Sequence, residues 1–545
     1  MKKLSVASVL AWGIVVAVIA GHAAINIYWM GKDNSYAEVP PCGGQLNIQA
    51  VCYYTAKHIF SLPLSWFDRL RLLSIRVVAN PLLSPAFYVV GWLSQLIAGE
   101  GITVLLLSNL FWLSLLLGGV FLTARYAYGR WVGVLALVLT ALFPAIYGLS
   151  RRYGNELPLA SLVVLAIYMV LRGRDFKTRW SGWLTGIAIS AGVLIDSSCV
   201  VYVVIPLASC AWRNWRRFSR QKVAHRLRPR GEEVFLQRGQ RLLTALAITI
   251  GCLLLRADQS RVFWHVYMRD LAHTITRQNG VVLLEHLYYY VEGFINGLTP
   301  ELALTAGIAA VLGGWASRRR AAVILTGWSA LPFLFFALTP AGTPLNIVPV
   351  FPAVALIAAA GIWAISRPLL RCLVIGFVAL NSVAVLAQGS FETNNNAFNN
   401  ALGAWGVRSP QQVDYPAAFK ELLGEIPLPR SLQMIIVDGA AFWGDETIGI
   451  PYLRGKNCFP ERIFDPAKVA VYYYPDPWYG LRAQYPFNVD YAAARFLPRF
   501  LVIEGHASPP SAQVLDEKYI FKKDAPSGIP GLQFFLFERK PDVSE

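Results

Sequence analysis

The sequence predicts an all-α polytopic membrane bundle, about eleven transmembrane helices with interfacial helices in the first outer loop, followed by a small C-terminal α/β extracytoplasmic domain. Three observations lead there. The 545 residues are 55% hydrophobic and only 15% charged, with a mean hydropathy of +0.46, too apolar for a soluble globular chain. Apolar runs approaching the roughly 20 residues that cross a bilayer recur up to Gln388. Beyond that point the apolar runs shorten to strand length.

The first helix is Leu4 to Trp29, preceded by Lys2 and Lys3. A positive start and an apolar core resemble a signal peptide, but the run is too long and no small-residue cleavage site follows, so a retained helix is expected. Further spans are read at 102–124, 131–148, 156–171, 181–195, 198–212, 242–257, 301–316, 321–338, 346–365 and 372–388. The stretch 181–212 is divided into two short helices turning at Asp196-Ser197-Ser198. With that turn, every basic cluster falls on one side: Lys2/Lys3, Arg125/Arg130, Arg172–Arg179, Arg213–Arg241, Arg318–Arg320 and Arg367/Arg371.

Those clusters carry a net charge of +20 in a chain of +17, so the rest of the sequence sums to −3. The asymmetry is the positive-inside pattern. It puts the N-terminus in the cytoplasm, the C-terminal segment outside, and the chain in the cytoplasmic (inner) membrane. Pro81–Ala98 and the Arg-bearing Leu62–Val78 then lie along the outer interface rather than crossing, with Trp92 as an anchor. Arg213–Arg241 is a site for anionic inner-leaflet lipid, and Tyr288-Tyr289-Tyr290 an interfacial aromatic belt.

Residues 1–390 are therefore expected to form the membrane domain and 391–545 the extracytoplasmic one, joined through the Asn-rich stretch around Asn394-Asn395-Asn396. Strands are read at Met434–Val437, Val469–Tyr474, Phe500–Ile503 and Phe534–Phe537, with a helical stretch at Ala417–Leu423. The seven cysteines include no CxxC pair, which argues against zinc. Cys42 and Cys52 read equally as a disulfide or as free thiols.

Polar groups meet the outer membrane edge at Asp33, in the turn Ser150-Arg151-Arg152-Tyr153-Gly154-Asn155-Glu156, and at Asp196. Ionisable groups at such depth are costly and are candidates for function. The loop after the seventh span adds Arg261, His265, Arg269, His273 and Arg277, an i, i+4 series on one broad helical face. That face is either a cationic wall for a lipid phosphate or a solvated surface on anionic headgroups. Arg151 and Arg152 stand likewise between phosphate partner and headgroup anchor. The aromatic run Val471–Tyr479 reads as core rather than as a sugar platform. No Walker motif, nucleotide-binding Gly loop or HExxH site is present.

The run Arg152-Tyr153-Gly154-Asn155-Glu156-Leu157-Pro158-Leu159, then Leu171-Arg172-Gly173-Arg174, then Gly182-Trp183-Leu184-Thr185-Gly186, resembles the C-type superfamily of polyprenyl-phosphate-sugar-dependent membrane glycosyltransferases. That group includes protein O-mannosyltransferases and the aminoarabinose transferase of lipid A. The resemblance spans roughly residues 5–365. It implies that Asp33 is the catalytic acid after the first helix, that Glu156 is the second acidic position, and that Tyr36 is the family's tyrosine. Three departures stand out. Asn34 replaces a usual Glu, Asp196 stands where the family commonly has Lys, and Asn80-Pro81-Leu82-Leu83 replaces a His-Pro-Pro-Leu-Tyr.

The implied reaction is an inverting transfer of a sugar from a polyprenyl-phosphate carrier to a glycan, lipid or protein acceptor outside the membrane. The carrier phosphate is a good leaving group, so the site needs a carboxylate base, Asp33, and cations for the departing phosphate, drawn from Arg151, Arg152 and Arg269. No cofactor is read beyond the lipid-linked donor, the outer carboxylates are too scattered to argue for a divalent metal, and no nucleic acid is expected as a partner. Two rivals stand beside this reading: a transporter or flippase of lipid-linked sugar, which would need no base, and a catalytically inactive scaffold. The absence of an internal repeat and the gathering of acids at one face favour the enzyme over the transporter.

Overall fold

The structure is a computed structural model that describes residues 6–32, 65, 90, 93–94, 97–98, 102–151, 154–173, 176, 178, 180–223, 229–255, 268, 280–316, 319–339, 344–392, 432–437, 469–474, 500–506, 517, 519–526 and 532–541. By packing, the chain divides into two compact units. One comprises Met1–Trp29, Leu64–Leu93 and Leu105–Ser409; the other comprises Met30–Pro63, Ser94–Val104 and Pro410–Glu545.

The helical unit opens with α1, Val6–Lys32, whose 27 residues extend about 40 Å at 1.5 Å each, more than the hydrocarbon core of a bilayer. Next comes α2, Ile102–Ala127, packed on α1 through an edge-on Trp12–Phe121 pair. The span read as one helix over 131–148 is two, α3 (Arg130–Leu142) and α4 (Pro144–Ser150), bent by 65°. Pro144 causes the break. Its ring disfavours helical backbone at Phe143, which is extended at φ −69°, ψ 125°, and it cannot donate to the α3 ladder. All seven residues of α4 are buried.

The central helix is α5, Glu156–Arg172, in which almost every side chain is interior. The turn expected at Asp196-Ser197-Ser198 separates α6 (Ser181–Ile195) from α7 (Cys199–Val223). Asp196 is extended and accepts the Ser198 N–H at 2.7 Å, an Asx turn that stops α6. Then follow α8 (Pro229–Leu255), α9 (Gly280–Leu298), α10 (Pro300–Ala316), α11 (Arg319–Ala337), a 3₁₀ segment (Pro344–Val350), α12 (Phe351–Ala364) and α13 (Pro368–Phe391). Each expected span thus coincides with helix. The helix α9 has no counterpart among those expected spans, and it is locked in by Phe294 stacked on Phe351 at 5.4 Å. Tyr290 of α9 is fully buried, whereas Tyr288 and Tyr289 are exposed.

Among the described residues, four helices are long and apolar enough to cross a membrane, or five when the bent α3–α4 pair counts as one. Arg130 Nη1 donates to Ser8 Oγ near the start of α1 at 3.4 Å, and Arg241 Nη1 of α8 donates to the Phe176 carbonyl, between α5 and α6, at 3.2 Å.

The motif Gly182-Trp183-Leu184-Thr185-Gly186 has a packing explanation. Gly182, Thr185 and Gly186 are buried on one stripe of α6, and Trp183 and Leu184 are exposed. A Cβ on Gly182 would overlap the Arg241 carbonyl oxygen, and one on Gly186 would stand 3.0 Å from the Ala245 Cα. Small residues four apart let α6 and α8 meet backbone to backbone.

The second unit contains a five-stranded mixed sheet of order β2-β1-β3-β5-β4. Its strands are β1 (Leu432–Val437), β2 (Val469–Tyr474), β3 (Phe500–His506), β4 (Tyr519–Pro526) and β5 (Leu532–Arg539). Strand β1 pairs in parallel with β2 and β3, with Met434 opposite Phe500, while β3, β5 and β4 run antiparallel. The aromatic run Val471–Tyr474 lies in β2, an edge strand. All four expected strands are present. The fifth, β4, escaped the hydrophobic pattern because Lys522, Lys523 and Asp524 interrupt it. It is an edge strand with a bulge between Phe521 and Lys523, and the charge there discourages pairing with another chain.

Candidate functional site

At one end of the helical unit, ends of α1, α4, α5, α6, α7 and α13 are joined by hydrogen bonds around the turns that follow α4 and α6. The turn after α4 carries Arg151 on one side and Glu156 on the other. Glu156 is the first residue of α5, where a carboxylate is favoured by the free N–H groups and the positive end of the helix dipole. It is only 6% exposed, and its carboxylate lies over Gly154, where any Cβ would collide with it. Gly154 thereby leaves the space the carboxylate occupies.

Asn155 joins the two outer turns. Its Nδ2 donates to Asp196 Oδ2 at 3.2 Å, while Asp196 Oδ1 accepts from Ser198 N. Glu156 and Asp196, 40 positions apart in sequence, are thus carried by turns bonded to one another. Asp196 thus caps its own turn and anchors its neighbour. Close by, the Tyr202 hydroxyl of α7 donates to the Asn346 carbonyl and pins the 3₁₀ segment to the same end.

Arg151 points inward and is 4% exposed. Its Nε donates to Asn26 Oδ1 of α1 at 3.1 Å, its Nη1 to the Gly389 carbonyl of α13 at 2.8 Å, and its Nη2 to Ser390 Oγ. The guanidinium carbon stands 5.4 Å from the ring centroids of both Trp29 and Tyr147, within cation–π range. Asn26 Nδ2 donates in turn to Ser150 Oγ at 2.8 Å, and Asn109 Nδ2 of α2 to the Ser150 carbonyl at 3.4 Å. Sequence reasoning missed Asn26, Asn109 and Ser390. The signal was present for two of them, since Asn26 and Asn109 are amides inside otherwise apolar spans.

Asp33, Tyr36, Arg152, Arg261, His265 and Arg269 lie outside the described residues, as do Cys42, Cys52, the greater part of 62–98, the Asn-rich linker and Ala417–Leu423. Among the described residues no group of three or more His, Cys, Asp and Glu side chains is placed to hold a metal ion.

Residues 81–227 match the family model of dolichyl-phosphate-mannose-protein mannosyltransferase. The fold matches the crystal structure of ArnT from Cupriavidus metallidurans bound to undecaprenyl phosphate, with a TM-score of 0.59 over 98% of this chain and 99% of that one, at 13% identity. The chain resembles the polyprenyl-phosphate-sugar glycosyltransferases. The apo form of the same ArnT aligns at a TM-score of 0.54, over 97% of this chain and 98% of that one, at 13% identity. Two undecaprenyl phosphate-α-4-amino-4-deoxy-L-arabinose arabinosyl transferases are similar in sequence. The one from Erwinia tasmaniensis is 24% identical over 44% of this chain and 41% of its own length, and that from Enterobacter sp. 26% over 53% and 50%. The matching region spans half or less of these relatives. Together with the apolar helices, the shared fold makes this a polytopic, multi-pass membrane protein.

Proposed function

We propose that the protein is a membrane glycosyltransferase that moves a sugar, with inversion, from a polyprenyl-phosphate carrier to an acceptor on the outer side of the cytoplasmic membrane. The supporting observation is the carboxylate Glu156, buried at a helix start and carried on a turn bonded to that of Asp196, at the end of the bundle into which α1 delivers the chain just before Asp33. Residues 1–390 form the transfer domain, and 391–545 an extracytoplasmic domain. Membrane lipid, the lipid-linked donor and a glycan, lipid or protein acceptor are its partners.

Asp33 takes the proton of an acceptor hydroxyl as that oxygen attacks the anomeric carbon. The bond from that carbon to the phosphate oxygen breaks on the opposite face, and polyprenyl phosphate leaves with the electron pair. Arg152, Arg261, His265 and Arg269, with Tyr36, hold the donor phosphate, since cationic donors shared with the leaving oxygens stabilise the charge as it develops. Glu156 and Asp196 orient the sugar and the acceptor.

Purified protein in proteoliposomes, given radiolabelled polyprenyl-phosphate sugars and an envelope-glycolipid acceptor, is expected to release polyprenyl phosphate and label the acceptor. Labelled carrier that crosses the bilayer while no sugar moves would replace the enzyme with a transporter. Glu156→Gln keeps the shape and removes the charge. It is expected to lower kcat by roughly tenfold or more, while thermal unfolding in detergent shifts by less than about 1 kcal/mol, the usual worth of a carboxylate at a helix start. Unchanged turnover would take Glu156 out of the site.

A further inference from the structure

We propose that Arg151 is a positioning residue, not a ligand of the donor phosphate: it clamps the end of α1 that leads into Asp33 to the turn that leads into Glu156. The proposal rests on the glycosyltransferase reading for its effect on turnover, and on geometry alone for the clamp itself.

The position of Arg151 beside Arg152 at a membrane edge suggests a phosphate-binding pair, and the surroundings of Arg151 do not fit that role. Binding phosphate with both fork nitrogens requires a guanidinium edge that a substrate can reach. Here all three kinds of guanidinium nitrogen donate to the protein: Nε to Asn26, Nη1 to Gly389 and Nη2 to Ser390. The group is buried, with Trp29 and Tyr147 beside it. Gly389 lies in the last turn of α13, whose final carbonyls have no intrahelical donor, so Arg151 serves as the cap for that end. Tyr28 of α1 packs on Phe391 of α13 at 5.3 Å, which closes the same junction from the other side.

Two consequences follow for the candidate acids. Asn26 and Trp29 occupy the last two turns of α1, and Asp33 is the next residue in the chain after the helix ends at Lys32. Arg151 itself is five positions before Glu156. A planar fork that bonds α1 and α13 at once fixes the direction in which α1 leaves the bundle relative to the Glu156 turn. Lysine, with a single ammonium on a flexible stem, cannot span both helices in that way.

The test uses the full-length protein in proteoliposomes, with Arg151→Lys, Asn26→Ala, Ser390→Ala and the Arg151→Lys/Asn26→Ala double variant. Three quantities are read: polyprenyl phosphate affinity, kcat for sugar transfer, and the mobility of a spin label on Lys32→Cys at the end of α1. For Arg151→Lys the clamp predicts affinity within about twofold of wild type, kcat lower by about tenfold or more, and a more mobile label. Asn26→Ala, which removes an acceptor and no charge, reproduces part of the kcat loss and of the label mobility, and the double variant falls no further than Arg151→Lys alone. The proposal is overturned if Arg151→Lys weakens polyprenyl phosphate binding by tenfold or more while Asn26→Ala and Ser390→Ala transfer sugar and hold the label as wild type does. Should Arg151→Lys fail to fold, Asn26→Ala and Ser390→Ala decide by the same readings. Should the wild type transfer no sugar from any carrier, the functional reading fails by itself, and the label still shows whether Arg151 holds α1.

Discussion

Asp33→Asn is expected to lower kcat for sugar transfer by about 10²–10⁴-fold, the usual worth of a positioned general base, while polyprenyl phosphate still binds. Asparagine keeps the size and the hydrogen-bonding oxygen of the side chain, so the loss reports the proton acceptor and not the shape. The leaving group needs no protonation, because a phosphate monoester anion departs readily. The acceptor hydroxyl, by contrast, is a poor nucleophile until a carboxylate takes its proton. The check is single-turnover transfer of radiolabelled sugar by both proteins, with carrier affinity measured in parallel. Equal rates in both proteins would remove Asp33 from the role of base. Lost binding together with lost rate would make it a donor ligand instead.

The second large effect concerns stability. Gly182→Val is expected to lose most of the folded protein, at a cost of about 3 kcal/mol or more. Even the first added carbon would overlap the Arg241 carbonyl of α8, with the Arg241 carbonyl carbon at 3.0 Å and its Cα at 3.1 Å. A backbone cannot move aside as the end of a side chain can, so α6 and α8 must separate. The separation also pulls the Arg241 guanidinium from the Phe176 carbonyl, which closes the turn between α5 and α6. Gly251→Ala on α8, where nothing lies within 4 Å, is the matched control and is expected to stabilise by up to about 1 kcal/mol through helix propensity. Thermal unfolding in detergent, followed by size-exclusion chromatography, separates the two. If Gly182→Val melted with the wild type, the close approach of α6 to α8 would be refuted.

The motif that contains Gly182 shows how the resemblance to glycosyltransferases divides between chemistry and packing. Gly182 and Gly186 are needed where two helices touch, and Trp183 and Leu184 between them face outward. By contrast, Asn155 and Glu156 stand at the turn where polar groups meet. In sequence the two stretches look alike, as short glycine-bearing words at the edges of apolar runs. Only the partner across each contact tells them apart.

What the sequence by itself determined was everything that rests on local apolar content and on charge. The helices of the bundle other than α9, and the turn at Asp196, follow from apolar runs long enough to be helical and from the polar break between two of them. Four of the five strands follow from short β-branched and aromatic runs. The tertiary structure alone decided matters that depend on what lies across from a residue. Pro144 marks a break in sequence, but the 65° bend, which buries all of α4, depends on packing around it. Arg151 and Arg152 are neighbours of the same type, and no sequence rule says that Arg151 turns inward. That choice is made by Asn26, Gly389 and Ser390, which come from 125 positions before it and 238 and 239 positions after it, and offer a buried guanidinium the acceptors it requires. A charge stays in an apolar interior only where the fold supplies its hydrogen bonds, and those partners become neighbours only when the helices have assembled.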